Sequence, residues 1–179
     1  MAPFETPDDV KEQSERERLE IARRYREQHR LELRELAQPA VGGELIEVGE
    51  FSTVPIEALA AVPFLGAFLA LAARIRPARR GLGRNVLLAL DQDEAYLLSI
   101  GAQPEGPQAR LVSRWPRSAV RVASVEPRFM REAVTLEIDG HDSLTLYASS
   151  LRTNPWAAAV IVALGGDAPE PLDLRPAAD

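Results

Sequence analysis

The side chains that could do chemistry are few and lie far apart in this chain. It has no cysteine, which excludes disulfides, thiolate metal sites and a cysteine nucleophile. The two histidines are His29, inside a highly charged segment, and His141, inside the turn Asp139-Gly140-His141-Asp142. A nucleophile and its base must lie within hydrogen-bond reach of each other, and only these two histidines are present to act as such a base. We expect both to be solvated.

Three short motifs resemble ligand sites without meeting their requirements. Asp139, His141 and Asp142 are metal-ligating types, but a tight hairpin directs its side chains apart and no second ligand cluster follows. The acidic turn Asp91-Gln92-Asp93-Glu94 lacks the twelve-residue ligand spacing of a calcium loop. Gly81-Leu82-Gly83 is not followed by the Gly-Lys-Ser/Thr of a phosphate loop. We therefore expect a non-enzymatic protein without catalytic residues, metal or cofactor.

The elements that must position any site are clearest between residues 85 and 166, where short alternating apolar segments indicate strands. These segments are 86–90, 96–100, 111–115, 120–125, 134–138 and 144–146. Asp139-Gly140 predicts a two-residue turn with positive φ at both residues. Thr153-Asn154-Pro155-Trp156 then opens an apolar helix that ends at Gly165-Gly166. This order predicts an α+β fold: a mainly antiparallel β barrel or sandwich, capped by a C-terminal helix.

A long N-terminal helix is predicted from Thr6-Pro7-Asp8-Asp9, a capped start, to about Ala37, with Gln38-Pro39 ending it. Its apolar residues form only a weak seam, which charged residues and His29 interrupt. The residues of this seam are Leu19, Ala22, Leu33 and Leu36, and Ile21 and Tyr25 lie beside it. Such a helix either lies on its own domain or pairs with another chain.

An apolar insertion separates a first strand, expected at 43–51, from the others. Residues 58–73 contain no polar side chain, and at 1.5 Å per residue they would form about 24 Å of helix, short of a bilayer span. A helix that is apolar all round is buried in protein, covered by a partner or inserted in lipid. The basic segment 74–84 follows, with five arginines that either form a solvated linker or bind an acidic partner or anionic lipid.

Charge is unevenly distributed. Residues 1–53 carry 13 acids and 8 bases, residues 54–84 carry one acid and five bases, and residues 85–179 carry 13 acids and 8 bases, which gives −5, +4 and −5, or −6 in total. An acidic chain is poorly suited to neutralising phosphates, so nucleic acid is not an expected partner. The first nine residues lack a basic stretch followed by an apolar one, so we expect a cytoplasmic protein with or without membrane association.

Several segments together resemble bacterial pleckstrin-homology-like (GRAM-like) domains. These are Asn85-Val86-Leu87-Leu88-Ala89-Leu90, Glu94-Ala95-Tyr96-Leu97-Leu98, Arg114-Trp115-Pro116-Arg117 and the capped tryptophan helix. The resemblance covers residues 85–166, with 43–51 as a candidate first strand. The resemblance implies a seven-stranded, partly open barrel with a C-terminal helix. It also implies that the domain binds phosphoinositides, proteins or peptides. Lipid-binding members use a basic pocket between the first two strands, a connection that is unusually long in this chain.

We expect a charged helix over 1–40, a pleckstrin-homology-like domain over 41–166 with a helical insertion at 54–84, and a disordered tail over 167–179. The expected function is a binding or scaffold module that contacts a protein partner or a second copy of itself. The alternative is a peripheral membrane module that binds anionic lipid through the apolar helix 58–73 and the arginine segment 74–84. The candidate binding residues are Phe64, Phe68, Leu71, Arg74, Arg76, Arg79, Arg80 and Arg84.

Overall fold

The computed structural model describes residues 7–54, 82–104, 106–128, 131–149 and 154–168, with side chains from Arg16 onward. Helix α1 (Pro7–Val41) comes first and helix α2 (Pro155–Ala163) comes last. The strands between them are β1 (Glu47–Ser52), β2 (Asn85–Leu90), β3 (Glu94–Gln103), β4 (Gly106–Pro116), β5 (Val120–Arg128), β6 (Arg131–Ile138) and β7 (Leu144–Ser149), with a 3-10 turn (Arg117–Ala119) after β4. The predicted apolar helix 58–73, the arginine segment up to residue 81 and the tail beyond residue 168 lie outside these ranges.

The strands form one antiparallel sheet in the order β4-β3-β2-β1-β7-β6-β5. The sheet is open, because β4 and β5 are its two edges and no pairing among the described residues closes it into a barrel. The expected α+β, mostly antiparallel architecture with a C-terminal helix is therefore confirmed in its coarse form. Each edge strand has a bulge: Val112 of β4 and Ala123 of β5 are extra residues relative to the neighbouring strand.

Strands β2 and β3 are buried on both faces. Residues 86–90 and 95–99 are all buried, so two apolar side-chain sets point in opposite directions. One set, with Leu88 and Leu97, packs against β5–β7 and α2. The other set, with Leu87 and Leu98, packs against the C-terminal half of α1. The molecule therefore has three layers over this part of the sheet.

Helix α1 extends beyond its expected end. It passes through Pro39 to Val41 and stops at Gly42, which has φ of 78° and donates its N–H to the Gln38 carbonyl at 2.9 Å. The expectation that Gln38-Pro39 ends the helix is wrong, because a proline in the last turn removes one hydrogen bond without forcing the backbone out of the helix. The left-handed glycine conformation is what terminates it.

Two strand boundaries also differ from expectation. The residues between the predicted strands 96–100 and 111–115 are largely strand, since β3 runs to Gln103 and β4 begins at Gly106. Strand β1 starts at Glu47 and not at residue 43.

The turn after β6 differs from the predicted two-residue turn. Only Gly140 has positive φ there (74°), so Asp139 does not adopt the predicted conformation. The Asp139 N–H donates instead to the Ala119 carbonyl at 2.9 Å.

Helix α2 has the expected ends. The Asn154 side chain accepts a hydrogen bond from the Ala157 N–H at 3.0 Å, and Pro155 occupies the first turn. At the other end the Gly166 N–H donates to the Ile161 carbonyl at 3.0 Å, with Gly165 at φ of 78°. Between these caps, Val160 and Ile161 are fully buried against the sheet. The caps therefore fix the length of the helix that covers β1.

Gly49 of β1 allows the close approach of α2. A Cβ at this position would lie 3.0 Å from the Ala157 Cα and 2.9 Å from the Phe51 ring. We predict that Gly49→Ala lowers the free energy of unfolding by about 1–3 kcal/mol, because the helix backbone must move to admit the methyl group. Urea denaturation of the full chain measures this. Gly101→Ala is the matched control, since its Cβ would have no neighbour within 4 Å; equal losses in both variants would contradict the close-packing explanation.

Candidate interaction surface on the N-terminal helix

The C-terminal half of α1 is fixed to the sheet by apolar and polar contacts. Leu33 and Ala37 are buried against the apolar set that includes Leu87 and Leu98. Arg30 Nη2 donates to Glu47 Oε1 at 2.8 Å, and the Arg34 guanidinium donates to the Ile46 carbonyl. These contacts hold the helix across β1–β4. The alternative in which α1 lies on its own domain is therefore correct for this half.

His29 lies where α1 meets helix α2. Its ring centroid is 4.7 Å from that of Trp156 and 6.0 Å from that of Tyr25, with the Tyr25 and His29 planes only 6° apart. His29 Nδ1 is 3.5 Å from a Glu32 carboxylate oxygen and Nε2 is 3.9 Å from one of Glu50. The expectation of a solvated His29 is wrong, because tertiary packing leaves its side chain only 23% exposed.

One side of α1 presents large apolar side chains to solvent. Ile21, Tyr25 and Leu31 are 67%, 65% and 60% exposed. At 100° per residue, Leu31 lies nearly opposite the buried Leu33, and Ile21 lies about 120° from it. We call the side of the helix that carries Ile21, Tyr25, Gln28 and Leu31 the outer face of α1. Single exposed apolar residues are ordinary, but three along one side of one helix are typical of an interaction surface.

The sequence signal for this outer face is limited to Ile21 and Tyr25, four residues apart on a helix, and to Leu31 two residues before Leu33. Sequence reasoning identified Ile21 and Tyr25 as flanking a weak seam and missed Leu31. Only the position of the sheet shows that Leu33 belongs to the buried side and Leu31 to the outer one.

Most of the residues predicted to bind a ligand or partner lie outside the described ranges. These are Phe64, Phe68, Leu71, Arg74, Arg76, Arg79 and Arg80. Arg84 is described: it is exposed, directly precedes β2, and its carbonyl accepts the Thr53 N–H at 2.9 Å. Leu82, two residues earlier, is buried in the core beside Leu97 and Leu144. The structure thus anchors the end of the arginine segment at the sheet.

A groove of about 640 Å³ runs between α1 and the sheet. Its apolar floor includes Leu36, Ile100 and Pro107, and Glu32, Glu35 and Glu50 are among its acidic residues. A second cleft, of about 330 Å³, lies between the β3–β4 hairpin and the turn after β6. His141 borders this second cleft; it is exposed, and its ring lies edge-on to Trp115 with the centroids 6.3 Å apart.

The acidic turn between β2 and β3 has a structural explanation. Asp91 Oδ1 accepts the backbone N–H groups of Asp93 and Glu94 at 2.8 and 2.6 Å, and Asp91 Oδ2 lies 2.6 Å from the Tyr96 hydroxyl. Burial by itself raises the pKa of Asp91. These hydrogen bonds and the Arg117 guanidinium together lower the pKa by more than burial raises it, so the pKa of Asp91 is below its ordinary value. Burial and the two carboxylates around it raise the pKa of Tyr96.

Arg117 connects the turn between β2 and β3 to helix α2. Its guanidinium donates to the Ala163 carbonyl at 2.8 Å, at the C-terminal end of α2, and its backbone N–H donates to the Asp93 carbonyl at 2.7 Å. No group of three or more metal-ligating side chains is gathered within the described ranges. The charged residues around Asp91 therefore serve to join β2, β3 and α2.

We predict that Asp91→Asn destabilises the fold at pH 7 by about 1 kcal/mol, because the charged acceptor is lost. Since the folded-state pKa of Asp91 is lowered, its contribution is complete above the unfolded pKa of about 3.9 and disappears as pH falls through the folded value. In thermal melts of both proteins between pH 7 and pH 3, the difference in stability should narrow as the pH falls below the unfolded pKa. Asp93→Asn, an exposed residue in the same turn, is the control; a gap that persists unchanged at pH 3 would contradict the electrostatic cause.

Comparison of the sequence with known protein-family models and with curated proteins gives no match. No helix in the described part of the chain combines the length and apolar character needed to cross a lipid bilayer. The surface described above therefore rests on its own geometry.

Proposed function

We propose that this chain is a non-enzymatic interaction module in which a pleckstrin-homology-like (GRAM-like) domain presents the outer face of α1 to a protein partner. The seven-stranded open antiparallel sheet followed by a C-terminal helix is compatible with that fold and supports the assignment. The observation that carries the proposal is the exposure of Ile21, Tyr25 and Leu31 on one side of a helix whose other side is fixed to the sheet.

The attachment of α1 makes it suited to this role. A helix held by Leu33, Ala37 and the Arg30–Glu47 ion pair presents its outer face in one orientation, which lowers the entropic cost of binding. Residues 7–28 extend about 33 Å at 1.5 Å per residue, long enough for several turns of a partner helix. Large apolar and aromatic side chains are the residues that contribute most at protein interfaces.

We predict that a photo-activatable benzophenone side chain at position 25 of the full-length chain forms discrete adducts with protein in cells. The adducts should disappear when Ile21→Asp is added, because a buried charge on the same face is unfavourable. The benzophenone at position 162 is the matched control, since Val162 is comparably exposed (58%) on α2. Adducts from both positions, or from neither, would contradict the proposal; adducts with lipid alone would favour a membrane role.

The second candidate function is peripheral binding to anionic membranes. It rests on the sequence of residues 58–84, of which 82–84 are described, and on the exposure of Arg84. Clustered arginines beside an apolar stretch attract anionic headgroups, whereas the net charge of −5 on residues 85–179 opposes them. The balance favours the protein partner.

We expect weak or no sedimentation of the full chain with anionic vesicles at physiological salt. Each arginine in contact with anionic headgroups would contribute about 1 kcal/mol, and this contribution fades over a Debye length of about 8 Å. Because we expect little binding to anionic vesicles, replacement of the five arginines of 74–84 by glutamine should leave the sedimented fraction unchanged. Neutral vesicles are the control. Strong sedimentation with anionic vesicles that falls on this replacement would support the membrane candidate instead.

A further inference from the structure

The charge along α1 is bipolar. Residues 7–20 carry six acids and three bases, a net charge of −3, and residues 21–34 carry two acids and five bases, a net charge of +3. The boundary between the two halves falls beside Ile21, which is the most exposed large apolar residue in the part of α1 whose side chains are described. Two such helices side by side attract when they run in opposite directions and repel when they run in the same direction.

We propose that the occupant of the outer face of α1 is a second copy of this chain, paired antiparallel about a twofold axis near Ile21. This rests on the proposed interaction function and names the partner. A twofold pairing makes one surface bind itself, so the outer face must be complementary to its own reversed copy. The positions 14, 21 and 28 share one side of the helix, because seven residues are about two turns.

The register follows from placing Ile21 opposite Ile21 of the second copy. Position 14 then lies opposite position 28, since the two residue numbers in each pair sum to about 42. On one flank Glu17 lies opposite Arg24, an acid–base pair, and helix position 10 lies opposite the exposed Leu31. These pairings place charges of opposite sign together and bring the second helix beside Leu31.

The other flank is complementary in the same way. Arg18 lies opposite Tyr25, where a guanidinium and an aromatic ring attract each other, and helix position 11, a lysine in the sequence, lies opposite Glu32. Among the side chains of α1 that the structure describes, from Arg16 onward, the exposed large apolar ones are Ile21, Tyr25 and Leu31, and each faces the second helix in this one register. Leu33 and Ala37, which contact the sheet, lie about 120° and about 160° around the helix from Ile21.

We expect sedimentation equilibrium of the full chain to give a mass twice the 19.6 kDa of one copy. Ile21→Asp should raise the dissociation constant about tenfold or more, equivalent to 1.4 kcal/mol per factor of ten, because two charges meet at the twofold axis. Val162→Asp, an exposed apolar residue on α2, should leave it unchanged. Circular dichroism checks that both variants remain helical. A wild-type chain that is monomeric throughout would overturn the proposal.

The absence of cysteine allows the direction of pairing to be tested without background thiols. Ile21→Cys should form a disulfide with itself across the axis under mild oxidation. Ser14→Cys alone should not, but a mixture of Ser14→Cys and Gln28→Cys should give the mixed dimer, because disulfides need Cα atoms within about 7 Å. Self-linking of Ser14→Cys would show parallel pairing and overturn the proposal.

A charge exchange gives an independent test. Glu17→Arg and Arg24→Glu should each weaken self-association, because like charges then face each other twice in the dimer. Mixing the two variants should restore dimers, and no recovery would overturn the register. If the chain is monomeric yet position 25 forms an Ile21-dependent adduct with another protein in cells, self-pairing fails and the interaction function stands. A monomeric chain that also gives no Ile21-dependent adduct at position 25 would contradict both the self-pairing and the proposed interaction function.

Discussion

Strands β2 and β3 carry apolar side chains on both faces, and the rest of the structure is arranged to cover them. The face with Leu88 and Leu97 is covered by β5–β7 and α2, while the face with Leu87 and Leu98 is covered by α1. Neither cover alone removes both sets from water, so the hydrophobic free energy requires the two together. Trp156 contacts residues of both apolar sets and connects the two covers.

This constraint divides α1 into two parts with different physical roles. The part from His29 to Val41 belongs to the hydrophobic core, and its position is set by Leu33, Ala37 and the aromatic contact with Trp156. The part before it continues the same helix without a bend-forming proline or glycine. Its direction is therefore inherited from the core, although its own outer side chains face solvent.

The sequence predicted the succession of strands along the chain and the helix caps well, because those signals are local. Alternating apolar residues, Asn154-Pro155 and Gly165-Gly166 act on their own neighbours in the chain. It predicted poorly where a contact joins distant segments. Nothing near His29 in sequence indicates Glu50 or Trp156, and the polar stretch 101–110 resembles a loop until its long pairing and the packing of α1 are known.

For the candidate surface, the residues were visible in the sequence but their exposure was not. The apolar Leu87 and Ala89, which lie between the expected inward-facing residues of β2, already indicated a second buried face. That second face must be covered by some helix, and α1 is the charged one whose Leu33 and Ala37 have helical spacing. The exposure of the outer side of α1 follows only once the inner side is assigned to the sheet.

The two bulged edges of the sheet bear on solubility during synthesis and storage. An open sheet leaves an unpaired row of backbone donors and acceptors along β4 and β5, which can recruit strands from other molecules into fibrils. The extra residues Val112 and Ala123 interrupt the regular spacing of those rows, and Pro127 removes one donor from β5. A chain with such edges can associate through a helix while its strands remain poor templates for amyloid-type growth.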